Sequence, residues 1–164
     1  MNFMSIHRVA QALRLVPVVF LSVVLASCGG RGVATSVAPP TDPEMAVRSF
    51  MNAVSANSLL GMSQLFGSSR GPASDHMDQT ELEQRLTVIR IYLEHEEFSI
   101  VPGDPVTAGE VQPGERVVFI RLTRKGCTPT VPFTLSPYQG GWLIRQIDLA
   151  AAGNPARRCG GGPV

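Results

Sequence analysis

Three cysteines, three histidines and a scatter of carboxylates are the groups in this chain with reactive side chains. Cys28 directly follows Leu25-Ala26-Ser27 at the end of an apolar run. Its thiolate form is a good nucleophile, and small residues before it let an extended backbone enter a peptidase cleft. That pairing suits covalent modification of the thiol. Cys127 and Cys159 stand far apart, unlike a redox pair, and no histidine falls near either, so the two alone do not make a cysteine-type zinc site. Asp75-His76 sets a carboxylate beside an imidazole within Gly67 to Gln79, a stretch rich in Gly, Ser and Asp. Metal or acid–base work needs further partners at ligand spacing, which the neighbouring sequence lacks, so the pair reads as solvated loop. His95 ends a helical pattern, where an imidazolium interacts well with the helix dipole. Capping is its first reading, a pocket role its second.

The elements around Cys28 give it a context. Residues 1–27 carry Arg8 and Arg14 and no acidic residue, and Leu15 to Leu25 is almost wholly apolar. That run has the length of a signal-peptide core and falls short of the ~20 residues that span a bilayer. Leu25-Ala26-Ser27-Cys28 resembles the lipobox of bacterial lipoproteins. The resemblance implies a diacylglycerylated Cys28, a leader cut before it and further acylation, such as palmitate, on the new amino group. Two or three chains anchor stably where one is marginal. The expected location is the bacterial cell envelope, lipid-anchored and extracytoplasmic. Gly29 stands where an inner-membrane retention Asp is common in Gram-negative lipoproteins, which points to the periplasmic side of the outer membrane if the organism is Gram-negative.

Removing the leader leaves 12 basic against 13 acidic residues and no polybasic cluster, which argues against a nucleic-acid partner. The remaining ~137 residues suffice for one domain with its own core. Residues 28–42 read as lipidated cysteine and flexible tether: Gly, Ser, Thr and Pro without hydrophobic period. Such a tether reaches at most ~45 Å extended and averages ~20 Å. Residues 43–159 form the domain and 160–164 a disordered tail. Outside the cytoplasm the pair Cys127 and Cys159 is expected to form a disulfide, stapling the tail to a hairpin turn. Its loop of about thirty residues gives ~3–4 kcal/mol on the chain-entropy account.

Within the domain, Thr41-Asp-Pro-Glu44 reads as a capping box. Ala46, Phe50, Ala53 and Val54 then share one helical face, flanked by Met45 and Val47, and the helix should end near Asn57. Ser58 to Phe66 predicts a second helix, with Leu59, Leu60, Met62, Leu65 and Phe66 on its apolar side. Thr80-Glu-Leu-Glu83 opens a third, where Leu82, Leu86, Ile89 and Leu93 form the buried face and Val88 and Tyr92 widen it. The period then changes to two. Strands are expected at 97–101, 115–124, 130–136 and 142–149, joined by short turns that imply an antiparallel sheet. Val117 and Phe119 mark one face of the long strand and Val118, Ile120 and Leu122 the other. Arg121 and Arg145 interrupt apolar strands, to line a polar cavity or face solvent.

The fold class expected is α+β: three N-terminal helices packed on a curved, antiparallel four-stranded sheet. Ala46 to Phe50 through Leu65-Phe66, Leu82 to Leu93, and Gly140-Gly-Trp-Leu-Ile144 with Ile147-Asp148 resemble the cystatin-like cone of nuclear transport factor two and ketosteroid isomerase. The short strand usual between the second and third helices is not evident. Enzymes of this shape set an Asp or His base and a Tyr donor in a cavity, so the resemblance implies Tyr92, His95 and Asp148 as its pocket candidates. None sits in a motif that transfers residue by residue.

The function expected is a non-catalytic binding or interaction module in the envelope, without cofactor or metal. Both faces of the long strand are apolar and helices cover one, so a homodimer through the sheet is an expected partner, beside an envelope protein or a small apolar ligand. The alternatives are a small isomerase- or dehydratase-type enzyme using Tyr92, His95 and Asp148, or a carrier of an apolar ligand in the cone cavity.

Overall fold

The computed structural model describes residues 38–103 and 110–158. The expected signal peptide, Cys28, most of the expected tether and Cys159 lie outside them. Among the described residues the fold is α+β, with four helices and a four-stranded antiparallel sheet.

Helix α1 (Pro43–Ser55) has Pro43 in its first turn, where a missing N–H costs nothing. Its cap is Asp42, one residue later than expected: the carboxylate accepts from the Met45 N–H at 2.8 Å. Ala46, Val47, Phe50, Met51 and Val54 are buried. Met45, expected to flank this face, is 55% exposed, and Met51 takes its role. Beyond the helix end, Asn57 adopts φ 54, the left-handed turn that asparagine tolerates. Ser58 then caps α2 (Leu59–Leu65) through the Gly61 N–H, and Met62 is its buried anchor. Leu60, read as apolar side, is exposed.

The stretch expected to be loop contains a minimal hairpin, β1 (Gly67–Ser68) with β2 (Gly71–Pro72), and a 3-10 turn at Ala73–Asp75. Phe66 bridges Ile144 in parallel and so borders the sheet. The sequence hid this because two-residue strands carry no periodicity. Helix α3 (Gln79–Tyr92) starts earlier than expected: Asp78, not Thr80, caps it, accepting from Thr80 and Glu81 N–H groups. Leu82, Leu86, Ile89 and the following Leu93 are buried as the spacing demanded.

Strands β3 (Glu97–Val101), β4 (Arg116–Thr123), β5 (Thr130–Tyr138) and β6 (Gly141–Ile147) pair in chain order, all antiparallel. Val118, Ile120 and Leu122 of β4, with Val131, Phe133 and Leu135 of β5, enter the core with α1 and α3 residues. Phe50 meets Phe133 edge-on at 6.2 Å. The β5–β6 register shifts between Thr134 and Leu135: Thr134 opposes Gln146 and Leu135 opposes Ile144, leaving Arg145 as the extra residue. That bulge lets Ile144 and Ile147, three positions apart, both pack toward the core. Asp148 ends the strand and caps a further short helix, α4 (Leu149–Ala152), which the sequence reading had as strand end.

The sheet's second face is partly covered by the chain itself. A Cβ at Gly103 would lie 2.3 Å from the Phe119 ring, so this backbone rests directly on that ring. The residues just before α1 also dock: Trp142 N–H donates to the Pro40 carbonyl at 2.9 Å, at the start of β6.

Candidate functional site

Helix α3 and the end of β6 run past one another beside Phe66, and two hollows open between them. The larger, about 400 Å³, is walled by Val88 and Ile89 of α3 and by Gln146, Ile147 and Leu149. The smaller, about 170 Å³, is walled by the hairpin residues Ser68, Arg70 and Gly71 and by His76 and Met77. Phe66, Arg85 and Arg145 border both. Arg85, Val88 and Ile89 reach this side together because residues three and four apart share a helix face. Val88, expected to widen the buried face of α3, is 48% exposed here instead. The larger hollow falls within the size range of small-molecule sites, and its lining is mostly apolar, as such sites require.

The two arginines at this border differ. Arg145 is engaged inward: its Nε lies 2.5 Å from Glu115 Oε1 and its Nη2 2.9 Å from Oε2. Ser136 Oγ and the Gln112 N–H also donate to that carboxylate. Burial pushes the Glu115 carboxyl up, but the hydrogen bonds from Arg145, Gln112 and Ser136, with the Arg145 charge, outweigh it and hold the group below the usual carboxylate range. Among the described residues Arg85 pairs only with Glu81, 3.7 Å away and one helical turn earlier, with both side chains more than half exposed. Such a contact contributes little and leaves the guanidinium available.

The three pocket candidates are not brought together. None of the hollows described is lined by two of them. Asp148 spends its carboxylate on the Ala151 N–H, as cap of α4. His95 ties the ends of two helices: Nδ1 lies 2.8 Å from the Leu93 carbonyl and Nε2 3.0 Å from Ser55 Oγ, and the ring packs edge-on against Phe98. The carbonyl only accepts, so Nδ1 carries the proton. Ser55 Oγ also lies 3.1 Å from the Met51 carbonyl, and its one hydrogen is contested between that carbonyl and the imidazole. Tyr92 enters through its backbone carbonyl, which accepts from Arg124. Among the described residues Asp75 accepts only from neighbouring Ser74, and His76 faces the Gly71 carbonyl at 3.4 Å. Among the described residues no group of three His, Cys, Asp or Glu side chains converges as a metal site.

Sequence reasoning missed Glu115 and Arg124. Arg124 is 6% exposed and donates to the carbonyls of Tyr92, Ala152 and Gly153, joining the ends of α3 and α4. Burial lowers its pKa against the pull of Glu94, and the negative end of α3 compensates its charge. Next to it, Lys125 Nζ donates to the Pro155 carbonyl, and Cys127 Sγ lies 4.0 Å from the Arg157 carbonyl oxygen. The one advance signal for such a role was an arginine closing an apolar strand before a Lys-Gly turn.

Among the described residues no helix is long and apolar enough to cross a membrane. Comparison with protein-family models, with curated proteins and with solved structures finds no match.

Proposed function

We propose that this chain is a lipid-anchored protein of the bacterial cell envelope, held by acyl chains on Cys28, whose domain binds a ligand in the groove between α3 and β6 and does no chemistry on it. The observation that carries the binding reading is the lining of that groove: apolar side chains from α3, β6 and Phe66, with Arg85 lightly paired at the border. Against catalysis by the expected residues stands their employment elsewhere, with Asp148 as a helix cap and His95 as a tie between helix ends. The order of helices followed by an antiparallel meander supports the cone-like, cystatin-like reading, and so does the isolated parallel bridge to Ile144 from Phe66, which lies between the second and third helices. A second copy against the sheet has less to cover than expected, because Gly103 already lies on Phe119.

The anchor is tested by Cys28→Ser in the full chain, followed by membrane fractionation. Loss from the membrane fraction and failure of normal processing are expected; a variant still processed and membrane-bound would refute it. The binding reading is tested by native mass spectrometry of the full chain released gently from membranes. Extra mass that leaves on unfolding, and is missing from Val88→Glu but retained by the exposed control Val111→Glu, is expected. Retention of that mass by Val88→Glu, or its absence from the parent protein, would count against the groove.

A further inference from the structure

The charge around the groove narrows what it can hold. Among the described residues, those bordering its two hollows include Arg70, Arg85, Arg145 and His76, and no aspartate or glutamate. This bias is local, because the whole chain carries nearly equal numbers of acidic and basic side chains. Arg145 is neutralised by Glu115, which lies 2.5 Å away. Arg85, whose side chain is 51% exposed, is held among the described residues only by the long contact to Glu81, and Arg70 is exposed at the far rim of the smaller hollow. The other end of the groove is apolar: Val88, Ile89, Ile147 and Leu149 offer hydrocarbon and no charge. A ligand that matches both ends has an anionic head and an alkyl tail.

The larger hollow, about 400 Å³, has room for an alkyl chain along its apolar wall. We therefore infer, building on the binding reading above, that the groove is a site for a single-chain fatty acid, its carboxylate at Arg85 and its tail laid along Val88, Ile89, Ile147 and Leu149. Arg85 suits that role because a guanidinium can meet a carboxylate with two parallel hydrogen bonds. Arg70 adds positive potential from the hairpin side. Free fatty acid, with one negative charge and one chain, matches one lightly paired guanidinium beside an apolar wall.

The test uses the full chain in membranes and a dodecanoate carrying a photoreactive diazirine near its tail end, with adducts mapped by peptide mass spectrometry. Adducts are expected within 79–92 and 141–152. Excess dodecanoate should compete them away, and dodecanol, with the same tail and no charge, should not. Arg85→Gln, a surface change that leaves the core intact, should cut labelling about tenfold, the effect of one lost charge-assisted contact. Equal competition by dodecanol, or undiminished labelling of Arg85→Gln, would overturn the assignment of an anionic head while leaving the groove as a binding site. Adducts only outside these two segments, or none, would overturn the fatty-acid site, while the groove reading is decided separately by the bound mass and its loss in Val88→Glu.

Discussion

Arg145 and Glu115 stand thirty positions apart in the chain and 2.5 Å apart in the fold. The bulge opposite Thr134 and Leu135 sets Arg145 outside the regular pairing, and the carboxylate at the entry to β4 receives it together with Ser136 and the Gln112 N–H. The Arg145 Nη2 also donates to the Glu110 carbonyl at 3.2 Å, so one ion pair holds both the bulge and the chain entering β4. Removing one partner strands the other with its desolvation uncompensated. Glu115→Gln and Arg145→Met should each cost about 2–3 kcal/mol in denaturant unfolding. The double variant Glu115→Gln/Arg145→Met should cost clearly less than the two single effects combined. Full additivity would mean the pair is not coupled.

The same pair gives the fold an acid dependence. Glu115 has a folded pKa below its ordinary value, while in the unfolded chain it returns to about 4.3. As pH falls the unfolded state therefore takes the proton first. The contribution is complete above the unfolded value and is lost as pH falls through the lower, folded one. Unfolding midpoints measured from pH 7 to pH 3 should show the parent protein approaching Glu115→Gln across that window. Parallel curves would contradict the assignment.

Arg124 holds three carbonyls from two helix ends and is almost fully buried. Arg124→Met should cost about 2–4 kcal/mol and raise amide exchange at Ala152 to Arg157 more than in the sheet. Arg124→Lys should not rescue, because a single ammonium cannot span the same three acceptors. Rescue by lysine would mean that charge alone mattered.

A Cβ at Gly141 would lie 2.4 Å from the Pro39 carbonyl oxygen, closer than any contact that can be accommodated without movement. Gly141→Ala should push Pro39 and Pro40 off β6 and break the bond from the Trp142 N–H to Pro40. Trp142 is the single tryptophan of the chain, so its fluorescence reports the change directly. The expected result is a shifted emission maximum with a modest loss of stability, about 1–2 kcal/mol. An unchanged spectrum would show that the clasp is not formed in solution.

The proposed bond between Cys127 and Cys159 draws support from the tail: Arg157, two positions before Cys159, has its carbonyl 4.0 Å from Cys127 Sγ. Protein made in an oxidising compartment should weigh less than its reduced form by the mass of the two thiol hydrogens. Cys159→Ser should lower stability by ~3–4 kcal/mol on the chain-entropy account. An intact mass equal to that of the reduced chain would remove the bond.

What the sequence by itself determined is the set of elements whose signal is local and periodic. Leu82, Leu86, Ile89 and Leu93 declared α3, and Val118, Ile120 and Leu122 against Val131, Phe133 and Leu135 declared the inner face of the sheet. Their spacing is imposed by 3.6 residues per helical turn and by two-residue alternation along a strand, so it can be read without knowing any partner. Helix caps were legible only to within a residue or two, since Asp42 and Asp78 compete with neighbouring threonines for the same N–H groups. The tertiary structure decided everything that depends on distant residues meeting. It turned Glu115 and Arg145 into a pair, gave Arg124 its three carbonyls and moved Val88 from the core face to the rim of a groove. A charge in a strand carries no mark of what lies across the sheet. Nor does a valine on α3 reveal whether its neighbour is another side chain or open space, because that is set by how helix and sheet pack.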